Sequence, residues 1–179
     1  MADLFQDEPQ TAPPTAPSDN APLADRLRPQ KLEDVVGQEH LTGADGAIGR
    51  MVGAGKLASM ILWGPPGTGK TTIARLLADA VGMRFVAISA VFSGVADLKK
   101  VFAEAREFAK VDKQTLLFVD EIHRFNRAQQ DGFLPYVEDG TVVLVGATTE
   151  NPSFELNAAL LSRAQVLILN RLDTAALCN

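Results

Sequence analysis

The chain has 179 residues, of which 46% are hydrophobic, and it carries a formal net charge of −5 at pH 7. This length suffices for one domain with a sizeable core and leaves little room for a second. One cysteine, Cys178, excludes a disulfide framework and indicates a reducing cytoplasm. The longest apolar run, residues 57–63, is too short to span a bilayer, so we expect no association with a membrane.

The N-terminal residues 1–22 differ in composition from the rest of the chain. They hold five of the ten prolines, spread among polar residues without apolar periodicity, which predicts a disordered, Pro-rich acidic tail. Residues 1–25 contain five acidic residues and no lysine or arginine, so leaving them out changes the net charge from −5 to 0. The remainder is therefore neutral, which neither favours nor excludes DNA as a partner. Ala2 to Phe5, an apolar cluster in the tail, is either a partner-docking peptide or an inert terminus.

From Leu23 onward, short apolar runs alternate with helical patterns. The runs are partly β-branched and typical of strands buried on both faces, and they comprise residues 60–64, 84–89, 115–121, 141–149 and 165–169. Residues 98–109 place apolar side chains at three- and four-residue spacing opposite charged ones, which predicts an amphipathic helix. This alternation predicts an α/β fold with a five-stranded parallel sheet covered by helices on both faces.

A phosphate-binding loop lies between the first predicted strand and a predicted helix closed by a glycine. Gly64 to Thr71 reads GPPGTGKT and matches the pattern G-x-x-x-x-G-K-[ST] in full. Gly67 and Gly69 would let the backbone turn its N–H groups toward an anion at the helix N-terminus. Lys70 would neutralise the β- and γ-phosphates of ATP, and the Thr71 hydroxyl would ligate Mg²⁺. The alternative, a glycine-rich turn that happens to contain a lysine, leaves the match of both flanking elements unexplained. The predicted nucleotide-binding residues of the loop are Gly64, Pro65, Pro66, Gly67, Thr68, Gly69, Lys70, Thr71 and Thr72.

An acidic pair, Asp120 and Glu121, follows four apolar residues at the end of the third predicted strand. Beside a phosphate loop, Asp120 would hold Mg²⁺ through water, and Glu121 would orient or deprotonate the attacking water. A solvated turn is the alternative for two adjacent carboxylates. His123 and Arg124 come next, and the histidine either couples the site to a partner or makes a structural hydrogen bond.

Four motifs occur in the order expected of an AAA+ ATPase of the clamp-loader group, a P-loop NTPase family. They are the phosphate loop, VDEIHRFN at 119–126, GATTENP at 146–152 and LLSRAQV at 160–166. Residues 23–41 are similar to the adenine-binding segment of that group, so the resemblance covers residues 23–179. Within the group, long stretches resemble the family of the Werner-helicase-interacting protein; these are residues 59–72, 118–140 and 146–164.

The resemblance implies how adenine is bound. Val35, Val36 and Gly37 would wall the base, and Arg28 and Pro29 would set the approach of the chain. Ordinary loop packing is the alternative for these five residues.

The resemblance also implies two residues that respond to the γ-phosphate. The sensor is either Thr149 or Asn151, and the sequence does not choose between them. Arg163 matches an arginine finger that reaches the nucleotide of a neighbouring subunit, whereas spacing alone would make it a solvent-facing helix cap. Phe92 and the lysines at 99–100 form either a DNA-tracking surface or the ordinary start of a helix.

The function implied by the resemblance is Mg²⁺-dependent ATP hydrolysis that serves replication-fork maintenance, recombination and DNA repair. Expected partners are DNA forks, single-strand/double-strand junctions or ends, and single-strand-binding protein. The sliding clamp is a further expected partner, because Ala2 to Phe5 resembles clamp-binding peptides.

We expect residues 23–170 to be the nucleotide-binding core and residues 171–179 to begin a lid domain that the chain does not complete. The full-length family forms tetramers, whereas this chain is expected to be largely monomeric, weakly active and associated with the bacterial nucleoid. The alternatives are a Holliday-junction branch-migration motor of RuvB type and a clamp-loader-like scaffold that binds nucleotide without turnover.

Overall fold

The computed structural model describes residues 22–23 and 27–174. The tail residues 1–21, which include the candidate docking peptide Ala2 to Phe5, lie outside the described residues, as do residues 175–179 of the expected lid. Among the described residues, no helix combines the length and the apolar character needed to cross a membrane.

Five parallel strands form one sheet in the described part of the chain. They are β1 (Met60–Trp63), β2 (Arg84–Ser89), β3 (Thr115–Asp120), β4 (Val142–Thr148) and β5 (Gln165–Ile168). Each begins and ends within one residue of its predicted run. The order across the sheet is β2-β3-β4-β1-β5, with every neighbouring pair parallel. This order places the end of β1 beside the end of β4 and one strand away from the end of β3, so the loops that follow these strands meet at one edge.

Helices connect the strands and cover both faces of the sheet. They are α1 (Glu39–Thr42), α2 (Ala47–Gly53), α3 (Lys70–Val81), α4 (Val95–Ala109), α5 (Arg127–Asp131), α6 (Leu134–Glu138), α7 (Pro152–Glu155) and α8 (Ala158–Leu161). Short 3-10 turns also occur at Leu32–Asp34 and Ile122–Arg124. Gly82 ends α3 in the left-handed region at φ 70°, as the sequence predicts.

Two apolar cores lie on opposite faces of the sheet. On one face α3 buries Ile73 and Leu77 against Leu62 and Phe118, and α1 and α2 extend this core. On the other face α4 packs together with α6 and α8, and Phe102 is a central side chain of that core. The predicted α/β fold, with a five-stranded parallel sheet covered on both sides, is confirmed.

One part of the strand prediction is wrong. The apolar runs indicate strands buried on both faces, yet in β5 Val166 is 39% exposed and Ile168 is 55% exposed. These two side chains share a face of an edge strand, where the described residues supply little cover. In β2, the strand at the opposite edge, no residue is fully buried. An apolar run cannot reveal its place in a sheet, because inner and outer parallel strands have similar composition.

Gly146, near the middle of β4, allows the chain after β3 to pack closely on the sheet. A Cβ at this position would lie 2.9 Å from the Cδ1 atoms of both Ile61 and Ile122. Ile122 directly follows the acidic pair, so this contact helps to set the height of Glu121 above the sheet edge.

The free edge of β5 is tied to the segment that precedes α1. The Gln38 side chain is fully buried; its Nε2 donates to the carbonyl of Asn170 at 2.7 Å, and its Oε1 accepts from the Asn170 N–H at 2.9 Å. His40 Nε2 lies 2.9 Å from the carbonyl of Ile168. The segment expected to hold adenine is thereby anchored to the end of the sheet.

Candidate nucleotide-binding site

The loop between β1 and α3 wraps around the N-terminus of α3. Gly67 and Gly69 have φ angles of 76° and 87°, which favour glycine because a side chain in this region is strained. The Thr68 hydroxyl is buried and donates to the carbonyl of Pro65 at 2.9 Å, which braces the loop from within. The N–H of Ile73 bonds to the carbonyl of Gly69, so the N–H groups of residues 70–72 precede the first hydrogen bond inside the helix. They are therefore available to an anion.

Lys70 lies folded against this loop. Its Nζ donates to the carbonyls of Gly64 and Pro65, each at 2.8 Å. Burial lowers the pKa of Lys70 below its ordinary value, and the nearby carboxylates of Glu121 and Asp120 partly oppose that shift. The site therefore holds a partly desolvated cation close to two anions.

A cavity of about 400 Å³ opens beside the loop. This volume is within the ordinary range for a small-molecule site. Side chains from the loop, the end of β3, the end of β4 and the N-terminal segment meet there; the lining residues are Arg28, Pro66, Gly67, Thr68, Gly69, Lys70, Thr71, Thr72, Asp120, Glu121 and Thr149. Residues that lie far apart in the sequence are thus brought to one place.

The acidic pair lies where β3 ends. Asp120 is the last residue of the strand, and Glu121 adopts the left-handed conformation at φ 52° and ψ 44°. Such a backbone costs about 1 kcal/mol for a residue with a side chain. The turn leads directly into the 3-10 turn and allows Glu121 Oε2 to lie 3.2 Å from His123 Nε2. His123 Nδ1 lies 2.9 Å from Thr148 Oγ1, so this histidine makes a structural hydrogen bond, one of the two roles expected from the sequence. Arg124 is exposed.

The oxygen atoms suited to Mg²⁺ also meet in this cavity. Thr71 and Asp120 both line it, and their side chains carry the hard oxygen donors that Mg²⁺ prefers. Among the described residues, no group of three His, Cys, Asp or Glu side chains could hold a metal ion. Mg²⁺ commonly completes its shell with substrate phosphates and water, so the two donors fit a metal that is shared with a nucleotide.

Most of the residues that were predicted to bind adenine do not line this cavity. Arg28 lines it, whereas Pro29, Val35, Val36 and Gly37 are not among its lining residues. Val35 is buried in the core on the α3 face. The loop-packing alternative therefore accounts for Val35, and the adenine role of this segment stays a prediction.

The two sensor candidates separate clearly. Thr149 lines the cavity. Asn151 is the N-cap of α7, and its Oδ1 accepts from the N–H of Ser153 at 3.0 Å. Of the two candidates, only Thr149 therefore lies at the cavity. The sequence did not distinguish between them.

Arg163 lies outside the cavity, on the surface formed by α6 and α8. Its Nε donates to Oε1 of Glu138 on α6. Its Nη1 donates to the carbonyl of Ala159 at 2.9 Å and to the Ser162 hydroxyl at 3.1 Å. Arg163 therefore caps the C-terminal end of α8, as the spacing alone predicted. Its pairing with Glu138 was not predicted, because the two residues are 25 positions apart in the sequence.

Phe92 and the neighbouring lysines also lie away from the cavity. Phe92 is 89% exposed, and Lys99 and Lys100 are exposed at the start of α4. Their contact with DNA stays a prediction.

A phosphate loop after β1, with an acidic pair at the end of β3 in the same parallel sheet, defines a P-loop nucleotide-binding protein. The chain belongs to the ATPase family associated with various cellular activities (AAA), whose sequence model matches residues 60–172. This confirms the resemblance inferred from the motifs.

Particular relatives narrow the comparison. Replication-associated recombination protein A of Escherichia coli (strain K12) is 54% identical over 159 residues, which are 88% of this chain and 36% of that protein. ATPase WRNIP1 of Dictyostelium discoideum is 49% identical over 152 residues, which are 85% of this chain and 17% of that protein. The solved structure of the Thermotoga maritima RuvB Holliday junction branch migration motor matches with a TM-score of 0.66 and 29% identity, covering 84% of this chain and 51% of that one. The chain thus spans little more than a third of the bacterial relative.

Proposed function

We propose that this chain is the ATP-binding and ATP-hydrolysing core of a DNA-dependent ATPase that acts in replication-fork maintenance, recombination and DNA repair. One observation carries the hydrolytic part of the proposal: Asp120 and Glu121 line the same cavity as Lys70 and Thr71. The name of the bacterial relative, replication-associated recombination protein A, supports the biological part.

The roles of the residues follow from their chemistry. The N–H groups at the start of α3 would bind phosphate oxygens, and Lys70 would exchange its loop carbonyls for the β- and γ-phosphates. Thr71 and Asp120 would hold Mg²⁺, which supplies charge neutralisation on the phosphate oxygens when it is bound. Glu121 would orient and deprotonate the attacking water, and Thr149 would donate a hydrogen bond to the γ-phosphate. The segment with Arg28, Pro29, Val35, Val36 and Gly37 would approach the adenine.

Arg163 is proposed to act on the nucleotide of a second subunit. Its side chain is held by Glu138 outside the cavity of its own chain, which supports action in trans. An arginine that stabilises charge on the transferring phosphoryl group accelerates hydrolysis about 10³- to 10⁵-fold. Hydrolysis should therefore be weak in the isolated chain and should rise per molecule as the protein concentration rises.

Complementation between two inactive variants tests both assignments. We expect Glu121→Gln to bind ATP but to lose at least about 100-fold in single-turnover hydrolysis. Arg163→Ala should lose about 1,000-fold at concentrations where the wild type self-associates. A mixture of the two should regain activity, because a Glu121 site in one chain can receive Arg163 from the other. Glu107→Gln, an exposed carboxylate on α4, is the control.

Two results would contradict this scheme. Hydrolysis at the wild-type rate by Glu121→Gln would remove Glu121 from the chemistry. A mixture no more active than its separate components would exclude the exchange of arginines between subunits.

The likeness to the RuvB motor favours a second candidate, branch migration at Holliday junctions. Hydrolysis stimulated by forks and single-strand/double-strand ends more than by four-way junctions supports fork maintenance; the reverse order supports the motor.

Further features of the whole protein also belong to this proposal. Residues 23–170 would form the nucleotide-binding core and residues 171–179 would begin a lid domain. The assembly would be a homo-oligomer in the bacterial cytoplasm, associated with the nucleoid. Single-strand-binding protein is the proposed partner at forks, and Ala2 to Phe5 would contact the sliding clamp.

A further inference from the structure

His123 occupies a place between two parts of the candidate site. Its side chain is only 8% exposed, and both ring nitrogens have partners. Nε2 lies 3.2 Å from Oε2 of Glu121, and Nδ1 lies 2.9 Å from Oγ1 of Thr148. Because burying unpaired ring nitrogens would be costly, these two contacts hold the imidazole in one orientation.

The donors and acceptors in this chain of contacts are restricted. The Glu121 carboxylate can only accept, so its contact with Nε2 is favourable only when that nitrogen carries a hydrogen. The Thr148 hydroxyl has one hydrogen, and two acceptors lie within its reach: His123 Nδ1 at 2.9 Å and the carbonyl of Glu150 at 3.2 Å. When this hydrogen points to the ring, Nδ1 accepts it and the hydrogen of the neutral ring is on Nε2, directed at Glu121; when it points to Glu150, Nδ1 donates to Thr148.

Thr148 connects this chain to the loop that contains the sensor candidate. It is the last residue of β4 and is fully buried. Its Oγ1 also accepts from the N–H of Glu150 at 3.1 Å, so it holds the loop from both sides of Thr149. Thr149 itself lines the cavity. A shift of this loop would therefore be transmitted to the histidine through one hydroxyl group.

We infer that His123 is a positioning residue that fixes the Glu121 carboxylate and links its orientation to the loop after β4. The inference rests on the proposed function, in which Glu121 activates water. A free glutamate side chain has up to about 2 kcal/mol of rotamer entropy to lose. The contact of Oε2 with His123 Nε2 at 3.2 Å removes part of that freedom in advance. Misplacement of a catalytic group by about 1 Å can lower a rate about 100-fold.

Single-turnover hydrolysis and ATP affinity, measured on the same variants of the full chain, test this inference. We expect His123→Ala to lower the hydrolysis rate about 10- to 100-fold while the Kd for ATP stays within about twofold. His123→Gln should recover most of the rate, because its amide can still donate to Glu121. Thr148→Val, which removes only the hydroxyl, should lower the wild-type rate about 3- to 10-fold. Glu107→Gln, an exposed carboxylate on α4 away from the cavity, is the control and should leave the rate unchanged.

The coupling between the two side chains gives the decisive result. If Thr148 acts through His123, Thr148→Val should have a smaller effect on the rate in the His123→Ala or His123→Gln background than in the wild type, because only its bonds to the Glu150 backbone then remain to be lost. Equal effects of Thr148→Val in all backgrounds would overturn the link, and a wild-type rate in His123→Ala would overturn the positioning role. A fall in rate matched by a similar loss of ATP affinity would also overturn it, because that outcome indicates general damage to the site. If His123→Ala does not fold, the His123→Gln and Thr148→Val pair decides the question.

Glu121→Gln separates this inference from the proposed function. If that variant hydrolyses ATP normally, the proposed role of Glu121 fails. If it is inactive while His123→Ala is normal, only the positioning role of His123 fails.

Discussion

Replacing Lys70 by methionine separates nucleotide binding from the stability of the fold. Lys70 is partly buried and bonds to two loop carbonyls, and burial is the main cause of its lowered pKa. Methionine keeps the apolar stem, loses two hydrogen bonds worth about 1 kcal/mol each, and removes the cost of burying a charge. These effects oppose one another, so we expect the free energy of unfolding without ATP to change by no more than about 1 kcal/mol.

The loss should appear only when ATP is present. The lysine would make two charge-assisted bonds to phosphates, each worth about 1.5 to 3 kcal/mol, so its removal should raise the Kd at least about 100-fold. At an ATP concentration 100 times the wild-type Kd, ligand binding stabilises the wild type by about 2.7 kcal/mol, or roughly 5 to 10 °C in Tm. The same concentration would stabilise the variant by only about 0.4 kcal/mol, or about 1 °C.

Thermal unfolding with and without Mg²⁺ and ATP, together with direct titration, measures both quantities. Lys56→Met, an exposed lysine, is the matched control and should keep the full ATP-dependent shift. A Lys70→Met variant that still gains 5 °C or more under these conditions would refute the assignment. The difference in unfolding free energy between the wild type and Lys70→Met should also depend on pH. Burial in the fold disfavours the charged lysine, so the wild type should gain stability relative to the variant as pH rises from the lowered pKa of Lys70 toward 10.5.

Two further predictions concern stability. Gly146→Ala should lower the free energy of unfolding by about 1 to 3 kcal/mol in urea titrations, because the new methyl group meets two isoleucine methyl carbons at 2.9 Å. Gly53→Ala is the control: a Cβ there meets no atom within 4 Å, so this change should be neutral or slightly stabilising. Equal effects of the two substitutions would contradict the packing argument. The Thr141 hydroxyl and N–H hold the pKa of Asp139 below its ordinary value, so Asp139→Ala should cost up to about 1 kcal/mol at pH 7. That difference should disappear as pH falls through the lowered pKa, and an unchanged difference at acid pH would exclude Asp139 as its source.

Much of the fold and part of the site could be predicted because their signals are local. A buried strand needs only a short apolar run, and the phosphate loop needs eight consecutive residues with glycines where φ is positive. The bond between His123 and Thr148 could not be predicted, because the residues lie 25 positions apart and meet only when β3 and β4 pair. The same reason applies to Arg163, whose partner Glu138 is on a different helix.

The sequence by itself determined the elements and the chemical groups of this protein: five apolar runs, a phosphate loop, an acidic pair and an arginine after the fourth strand. These depend on contacts between near neighbours in the chain, which composition and spacing record. Only the tertiary structure decided that Thr149 rather than Asn151 lines the cavity, that β5 is an exposed edge, and that His123 contacts Glu121 and Thr148 together. Each of these depends on strand order and on the direction of a side chain after packing, and neither is contained in a local pattern.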